Sequence, residues 1–349
     1  MKRIVFAVPG DLATPTGGYA YDRRMIAELT GLGWDVEVAD IGNEFPRPSA
    51  RMMAAARARL VAAPKGTPIV VDGLAFGVMP ELAAELHVDH PLIALVHHPL
   101  ALEAGIPAAE ARSFRLQERA ALAFADNVIV TSPSTGRLLA TDYGVEPDDI
   151  TVARPGSELK ARARGSTDGA VALLAVGSLV RRKGYDVLVA ALADLKDLPW
   201  RLTIAGDRTR SPATAAALDA DILRHGLGEH VAVLGAVPDE RLAALYAGAD
   251  LFVLPSRHEG YGMAFAEAIA HGLPVIGTTA GAIPDTVPDG AGILVPPDDT
   301  DALTRALRRL IANDGERQEL AAAAGAAAAR LPTWRQSAEE FARAIEAVR

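Results

Sequence analysis

The sequence predicts an α/β protein made of two doubly wound parallel sheets, and three observations predict it. Short apolar runs alternate with helix-period segments from end to end, the signature of βαβ units. The alternation occurs twice, six runs in each half, on either side of a Gly-, Ser- and charge-rich stretch at 156–169 that has no periodicity and reads as a linker. The 349 residues, half of them hydrophobic at 50%, suffice for two cores.

In the first half, strands are expected at RIVFAVP (3–9), DVEVADI (35–41), PIVVDG (68–73), LIALVHH (92–98), NVIVTS (127–132) and ITVARPG (150–156). The second half repeats the scheme at VALLAVGSL (171–179), WRLTIAG (200–206), VAVLG (231–235), LFVLPS (251–256), PVIGT (274–278) and GILVPP (292–297). Residues 1–157 and 158–333 are the two expected domains. The Ala tract 321–329 is strongly helix-forming. After Pro332, Thr333 is the expected N-cap of an amphipathic helix over about 334–349, placed to pack back on the first domain. Two Rossmann-like halves facing a cleft put ligands at the carboxyl ends of the strands, so function is expected in the loops that follow strands.

Composition narrows the function. The formal charge is −9 and aromatics are 5%, so there is neither the basic face nor the stacking platform of a nucleic-acid binder. Residues 1–157 carry 14 Lys and Arg against 19 Asp and Glu. Membrane association is therefore not expected, and the local group Arg51, Arg57 and Arg59 reads as a solvated helix face. With no Cys there is no disulfide, thiolate chemistry or Cys-ligated metal, and a reducing, cytoplasmic location fits. The start MKRIVFAVPG has an apolar run of about seven residues and reads as a strand, not a signal peptide.

Two stretches carry chemistry. EGYGMAFAEAIAHG places Glu259 in a loop after a strand and Glu267 about a turn into a helix that starts near Gly262 or Met263. The helix N-terminus near Gly260, Tyr261 and Gly262 suits an anion, since its N–H groups point outward and glycine lets a phosphate approach the backbone. Carboxylates beside such a site would oppose the anion, so the two Glu residues are expected to accept hydrogen bonds from neutral hydroxyls of a sugar or ribose. GSLVRRKGYDVL brings Arg181, Arg182 and Lys183 to the end of another strand of the same sheet, where a diphosphate would need its charge offset.

The run ADLFVLPSRHEGYGMAFAEAIAHGLPVIGTTAGAIPDTVPDGAGILVPPDD resembles the signature region of the retaining family-four glycosyltransferases, which have the GT-B fold. GSLVRRKGYDVLVAAL resembles the phosphate-binding loop of that family, and the likeness covers nearly the whole chain in order and spacing. By position it implies that Glu259 contacts the transferred sugar, Glu267 the ribose and Lys183 the donor diphosphate. The family often has Arg directly after the glycine at 177, where this chain has Ser178; Arg181 or Arg182 is left to supply that charge. The turn after the signature helix departs mildly, as Ala280, Gly281, Ala282, Pro284 and Asp285.

In the first half, VPGDLATPTGGYA carries Gly17 and Gly18 and resembles the family's glycine loop near donor phosphate and acceptor. In LVHHPL, His97 matches the family's His near the transferred sugar, with the adjacent His98 as the alternative; His258 and His271 read as surface or core residues. Loops near Gly206 and Val237 are expected to shape donor choice. Retention by double displacement would need a carboxylate nucleophile, and none is evident in LVHHPL. The resemblance implies same-face attack in which the departing diphosphate takes the acceptor's proton. The implied partners are a nucleoside-diphosphate sugar and a small, soluble hydroxyl acceptor, with no cofactor and no metal. A metal-dependent transferase would need Asp-x-Asp at a strand end, and DAD at 219–221 lies inside a helical pattern. The alternatives are a nucleotide-sugar 2-epimerase of the same fold and a non-catalytic nucleotide-sugar-binding protein.

Overall fold

A computed structural model describes residues 2–103, 105–158 and 160–348. The chain folds as two compact units, Met1–Gly156 with Pro332–Arg349, and Ser157–Leu331.

The first unit holds β1 (Lys2–Val8), β2 (Trp34–Asp40), β3 (Ile69–Asp72), β4 (Leu92–Val96), β5 (Asn127–Val130) and β6 (Ile150–Val152). They form one sheet in the order β2-β1-β3-β4-β5-β6, and each recorded pairing is parallel. β3, β4 and β5 are buried along their whole length, as strands covered by helices on both faces must be. The strand order reverses between β1 and β3, which puts the crevice of this sheet at their carboxyl ends. Helix Gly17–Gly31 starts there, with the Thr16 side chain accepting from Tyr19 N–H. The last helix, Trp334–Ala347, begins with a Thr333/Gln336 capping box. It belongs to this unit, stacking Phe341 on Phe6 at 6.1 Å and setting Trp334 against Tyr21 at 5.9 Å.

The second unit holds β7 (Val171–Val176), β8 (Trp200–Ala205), β9 (Val231–Val233), β10 (Leu251–Val253), β11 (Val275–Thr278) and β12 (Gly292–Val295). Their order, β12-β11-β10-β7-β8-β9, is the doubly wound order with its reversal between β7 and β10. All twelve expected strands are present, most of them shorter than the apolar runs that announce them. Leu254–Ser256, for example, lie beyond β10 yet remain buried, so an apolar run marks burial and not only pairing.

The stretch read as a linker is not free. Ala163 N–H donates to His271 O at 2.8 Å, Arg164 N–H to Ala247 O at 2.7 Å, and Ser166 N–H to Asp250 Oδ1 at 3.2 Å. A segment with no helix or strand period can still be strapped to a domain by its backbone hydrogen bonds.

Candidate functional site

In the second unit the two motif loops meet at the β7/β10 reversal. After β7 the chain makes a 3₁₀ turn, Arg181–Lys183, which ends at Gly184 with φ +71°. A Cβ there would strike the Pro255 carbonyl, so glycine lets the β7 loop lie against the β10 loop. Arg257 fastens the two loops, donating to both carboxylate oxygens of Asp186 at 3.0 and 2.8 Å, while its backbone N–H donates to Arg182 O at 2.8 Å.

Glu259 sits at the centre of this junction and is buried. Its Oε1 accepts from Lys183 Nζ at 2.7 Å and from Ser256 Oγ at 2.6 Å; its Oε2 accepts from Arg182 Nη1 at 3.1 Å. Arg182 Nη1 also donates to His258 O at 2.8 Å. Burial by itself would raise the carboxyl pKa, but Lys183 and Arg182 override it and hold it at about 2. Glu259, expected to meet only neutral hydroxyls, is bound here by one hydroxyl and two cations. The reason is electrostatic: a carboxylate this deep needs paired charge, and the adjoining loop supplies it. One carboxylate against two cations leaves the cluster with a net charge of one positive.

The other expected residues surround this cluster unevenly. Ser178 and Gly206 lie at the ends of β7 and β8, where a Cβ on Gly206 would run into the Gly177 carbonyl. Arg181 is exposed on the turn, so Arg182 is the arginine tied into the cluster. Gly262, at φ +89°, precedes helix Met263–Ala270, with half-buried Gly260 and buried Tyr261 just before it. Glu267 lies in the second turn of that helix, and burial raises its pKa, partly offset by the Tyr246 hydroxyl and Lys160. It shares no hydrogen bond with the Glu259 cluster among the described residues. Val237 is half-buried in the loop between β9 and helix Asp239–Ala247. The DAD residues fall in helix Pro212–Arg224, where Asp219 pairs with Arg208 and Asp221 with Arg224.

In the first unit Gly17 and Gly18 are not loop residues: they form the first turn of helix Gly17–Gly31. Gly18 keeps the approach to His97 open, since a Cβ would lie 3.3 Å from the ring. His97, just past β4, points Nε2 at two carboxylates, Asp22 Oδ1 at 3.1 Å and Asp72 Oδ2 at 3.3 Å. Asp22 comes from helix Gly17–Gly31 and Asp72 from the end of β3, so the β1/β3/β4 order assembles the trio. Burial would lower the His97 pKa, but Asp22 and then Asp72 raise it to about 10. Asp22 is raised to about 7, by burial first and by Asp72 in part, against the pull of His97. Among the described residues these three are the one group of His, Asp and Glu with ligand atoms close enough to share a metal, within 4.8 Å.

Asp22, Asp72 and Ser256 join these clusters although no motif in the sequence assigns them a role. A signal for the first existed: Asp22 occupies the buried stripe Asp22, Met25, Leu29 of its helix, where an apolar residue belongs. His98 turns away and pairs with Glu103 at 3.3 Å. His271 is a packing residue, its ring stacked on Tyr246 at 5.2 Å with Nδ1 3.0 Å from Ala161 O. Arg57 and Arg59 are neutralised by Glu85 and Glu37.

Glu118, fully buried on helix Ala108–Leu122, accepts from Leu100 N–H at 3.1 Å and so anchors the segment that follows His97. Burial pushes its carboxyl up to about 8, partly opposed by that hydrogen bond and by Arg115. A raised folded-state pKa costs stability as pH climbs from the ordinary carboxylate range, about 4.3 for Glu, through about 8. Glu118→Gln, which keeps an acceptor but cannot ionise, should therefore gain about 1–3 kcal/mol over wild type at pH 9 and little at pH 5. Melting temperatures at the two pH values check this; an equal effect at both would show that Glu118 does not titrate in the fold.

Residues 157–327 match the family described as Glycosyl transferases group 1, and residues 45–160 match Glycosyltransferase Family 4. The chain is 30% identical over 295 residues to the MMP alpha-(1->4)-mannosyltransferase of Mycolicibacterium hassiacum, covering 79% of this chain and 69% of that one. It is 29% identical over 250 residues to the D-inositol 3-phosphate glycosyltransferase of Corynebacterium diphtheriae, covering 66% of this chain and 58% of that one. Among solved structures, sucrose-phosphate synthase from Thermosynechococcus elongatus superposes with a TM-score of 0.84 at 22% identity, over 100% of this chain and 99% of that one. Anabaena HepE, solved in complex with UDP-glucose, superposes with a TM-score of 0.80 at 19% identity, over 99% of each chain. With two doubly wound sheets, family matches running from residue 45 to 327, and a relative aligned over most of its length, the chain belongs to the glycosyl transferases group 1, enzymes of the GT-B fold.

Proposed function

We propose that the protein is a retaining, metal-independent transferase that moves a sugar from a nucleoside-diphosphate sugar to the hydroxyl of a small, soluble acceptor in the cytoplasm. The observation that carries this reading is the Lys183, Arg182 and Glu259 cluster at the β7/β10 reversal. Its net positive charge is fixed in a largely buried setting, where cations stabilise a departing diphosphate more strongly than water does. Lys183 and Arg182 hold the phosphates, Glu259 and Glu267 take hydroxyls of sugar and ribose, and His97 faces the sugar. Ser178, Gly206, Gly262, Met263 and Val237 shape the pocket. The names of the relatives, a mannosyltransferase and an inositol-phosphate glycosyltransferase, fit such a donor and a polar acceptor.

In the transfer, the bond from the anomeric carbon to the diphosphate oxygen breaks, the acceptor oxygen bonds the same carbon on the same face, and the acceptor's proton passes to the diphosphate oxygen. A covalent route would need a free carboxylate nucleophile. The carboxylates beside His97 do not qualify: Asp22 is 0% and Asp72 4% exposed, and both are engaged by the imidazole. Fixed cations do the work that a metal does in other transferases, so no cofactor is needed. No described helix is long and apolar enough to cross a membrane.

Thermal shifts against UDP, GDP, ADP and TDP and their sugar conjugates, with and without EDTA, test the donor site. One nucleotide series should stabilise the protein by about 2.7 kcal/mol at a hundredfold excess over Kd, unchanged by EDTA. No shift with any of them would overturn the reading. Nucleoside diphosphate released only when an acceptor is present separates transfer from epimerisation and from mere binding.

A further inference from the structure

His97 presents an unusual arrangement, because both carboxylates address the same nitrogen. Nε2 lies 3.1 Å from Asp22 and 3.3 Å from Asp72, so one N–H is shared between two acceptors. Asp72 Oδ1 is held in turn by Leu74 N–H at 2.8 Å, and the Tyr21 ring packs edge-on against the imidazole at 5.3 Å. Asp22 Oδ2 is buried without a partner, and no Lys or Arg among the described residues pairs with either carboxylate. The groups facing His97 are thus Asp22 and Tyr21 from helix Gly17–Gly31 and Asp72 from the end of β3; Tyr21, driven well above its usual pKa by burial, stays neutral. On the other side of the ring, Nδ1 has no hydrogen-bond partner among the described residues and is not sealed from solvent, the side chain being 20% exposed.

We infer that Asp22 and Asp72 form a paired carboxylate clamp that positions His97 and keeps it doubly protonated, so that Nδ1–H is a charged donor to a hydroxyl oxygen of the transferred sugar. The inference rests on the transferase reading for the identity of that sugar. One carboxylate would be enough to orient the ring, as in other His–Asp pairs. The second has a further effect: with both ionised the trio carries one negative charge, and with Asp22 protonated it is neutral. His97 can then donate as a cation without setting net positive charge beside a sugar that becomes electron-poor in the transition state.

The test is ¹⁵N NMR of His-labelled protein from pH 5.5 to 9.5, with turnover measured across the same range, for wild type, Asp22→Asn and Asp72→Asn. In wild type both His97 nitrogens should remain protonated to about pH 9. Each variant should bring the His97 transition down into the range near 6.5 to 8. Each should also lose about tenfold to a hundredfold in kcat at pH 8, recovering towards pH 6, with the nucleoside-diphosphate thermal shift unchanged. A wild-type His97 that titrates near 6.5, variants that lose activity equally at every pH, or a His97 signal that moves on adding Mg²⁺ would each overturn the clamp. The wild-type titration needs no variant to fold. If nucleoside diphosphates fail to bind while His97 behaves as expected, the transferase reading fails and the clamp stands.

Discussion

Lys183→Ala should lower kcat by about 10²–10³-fold, the usual cost of removing one fixed group that stabilises charge developing in a transition state. Lys183 is placed for that role: its side chain is only 13% exposed, and its Nζ is held 2.7 Å from Glu259 Oε1. The substitution also acts on stability, with a definite sign. Glu259 has a folded-state pKa lowered from 4.5 to about 2, so its stabilising contribution is present above about pH 4.5 and lost as pH falls through about 2. That shift corresponds to roughly 3 kcal/mol, shared between Lys183 and Arg182, so Lys183→Ala should cost about 1–3 kcal/mol at pH 7. Adding Glu259→Gln removes the carboxylate left underpaired and should restore much of the melting temperature, while turnover stays low. Donor-consumption assays and thermal melts on the single and double variants separate the two effects. A single variant that turns over like wild type would remove Lys183 from the diphosphate site.

The sheets were legible in the sequence because a strand buried on both faces must be a continuous apolar run. IVVD, LIALV and NVIV have no other use for that composition. The motif loops were legible for a related reason, since charges and glycines directly after such runs have to fall at the carboxyl edge of a sheet. What the loops do to each other was not. Lys183 and Glu259 are 76 positions apart, and only the β7/β10 neighbourhood, set by strand order, makes them partners. The same holds for His97 and Asp22, 75 positions apart on a strand end and a helix. In both cases the sequence shows an ionisable residue and withholds its partner, because pairing depends on topology that local pattern does not encode. Glu118 shows the converse: on a helix rich in Arg and Glu it reads as one more surface charge, although it is fully buried.

Gly206→Ala should damage fold and function together, although it adds a single methyl group. Gly206 closes β8, with its N–H donating to Gly235 O at 2.9 Å, while the neighbouring Gly177 N–H donates to Ala205 O at 2.9 Å. A Cβ on residue 206 would fall well inside 3.0 Å of the Gly177 carbonyl oxygen, and that oxygen already accepts from the Tyr185 hydroxyl at 2.6 Å. No flexible side chain can yield, so the backbone must, at about 1–3 kcal/mol. For a unit of this size that lowers the melting temperature by roughly 2–12 °C. The displaced backbone leads directly into Ser178 and the Arg181–Lys183 turn, and a shift of about 1 Å in a positioning group costs about 10²-fold in rate. Gly228→Ala is the control, since a Cβ there meets nothing within 4 Å. If Gly206→Ala and Gly228→Ala melt and turn over alike, the close approach of β7 and β8 does not set the position of Lys183. If only the first loses both stability and rate, the glycine is kept for the spacing of two backbones, and the phosphate-binding cation depends on it.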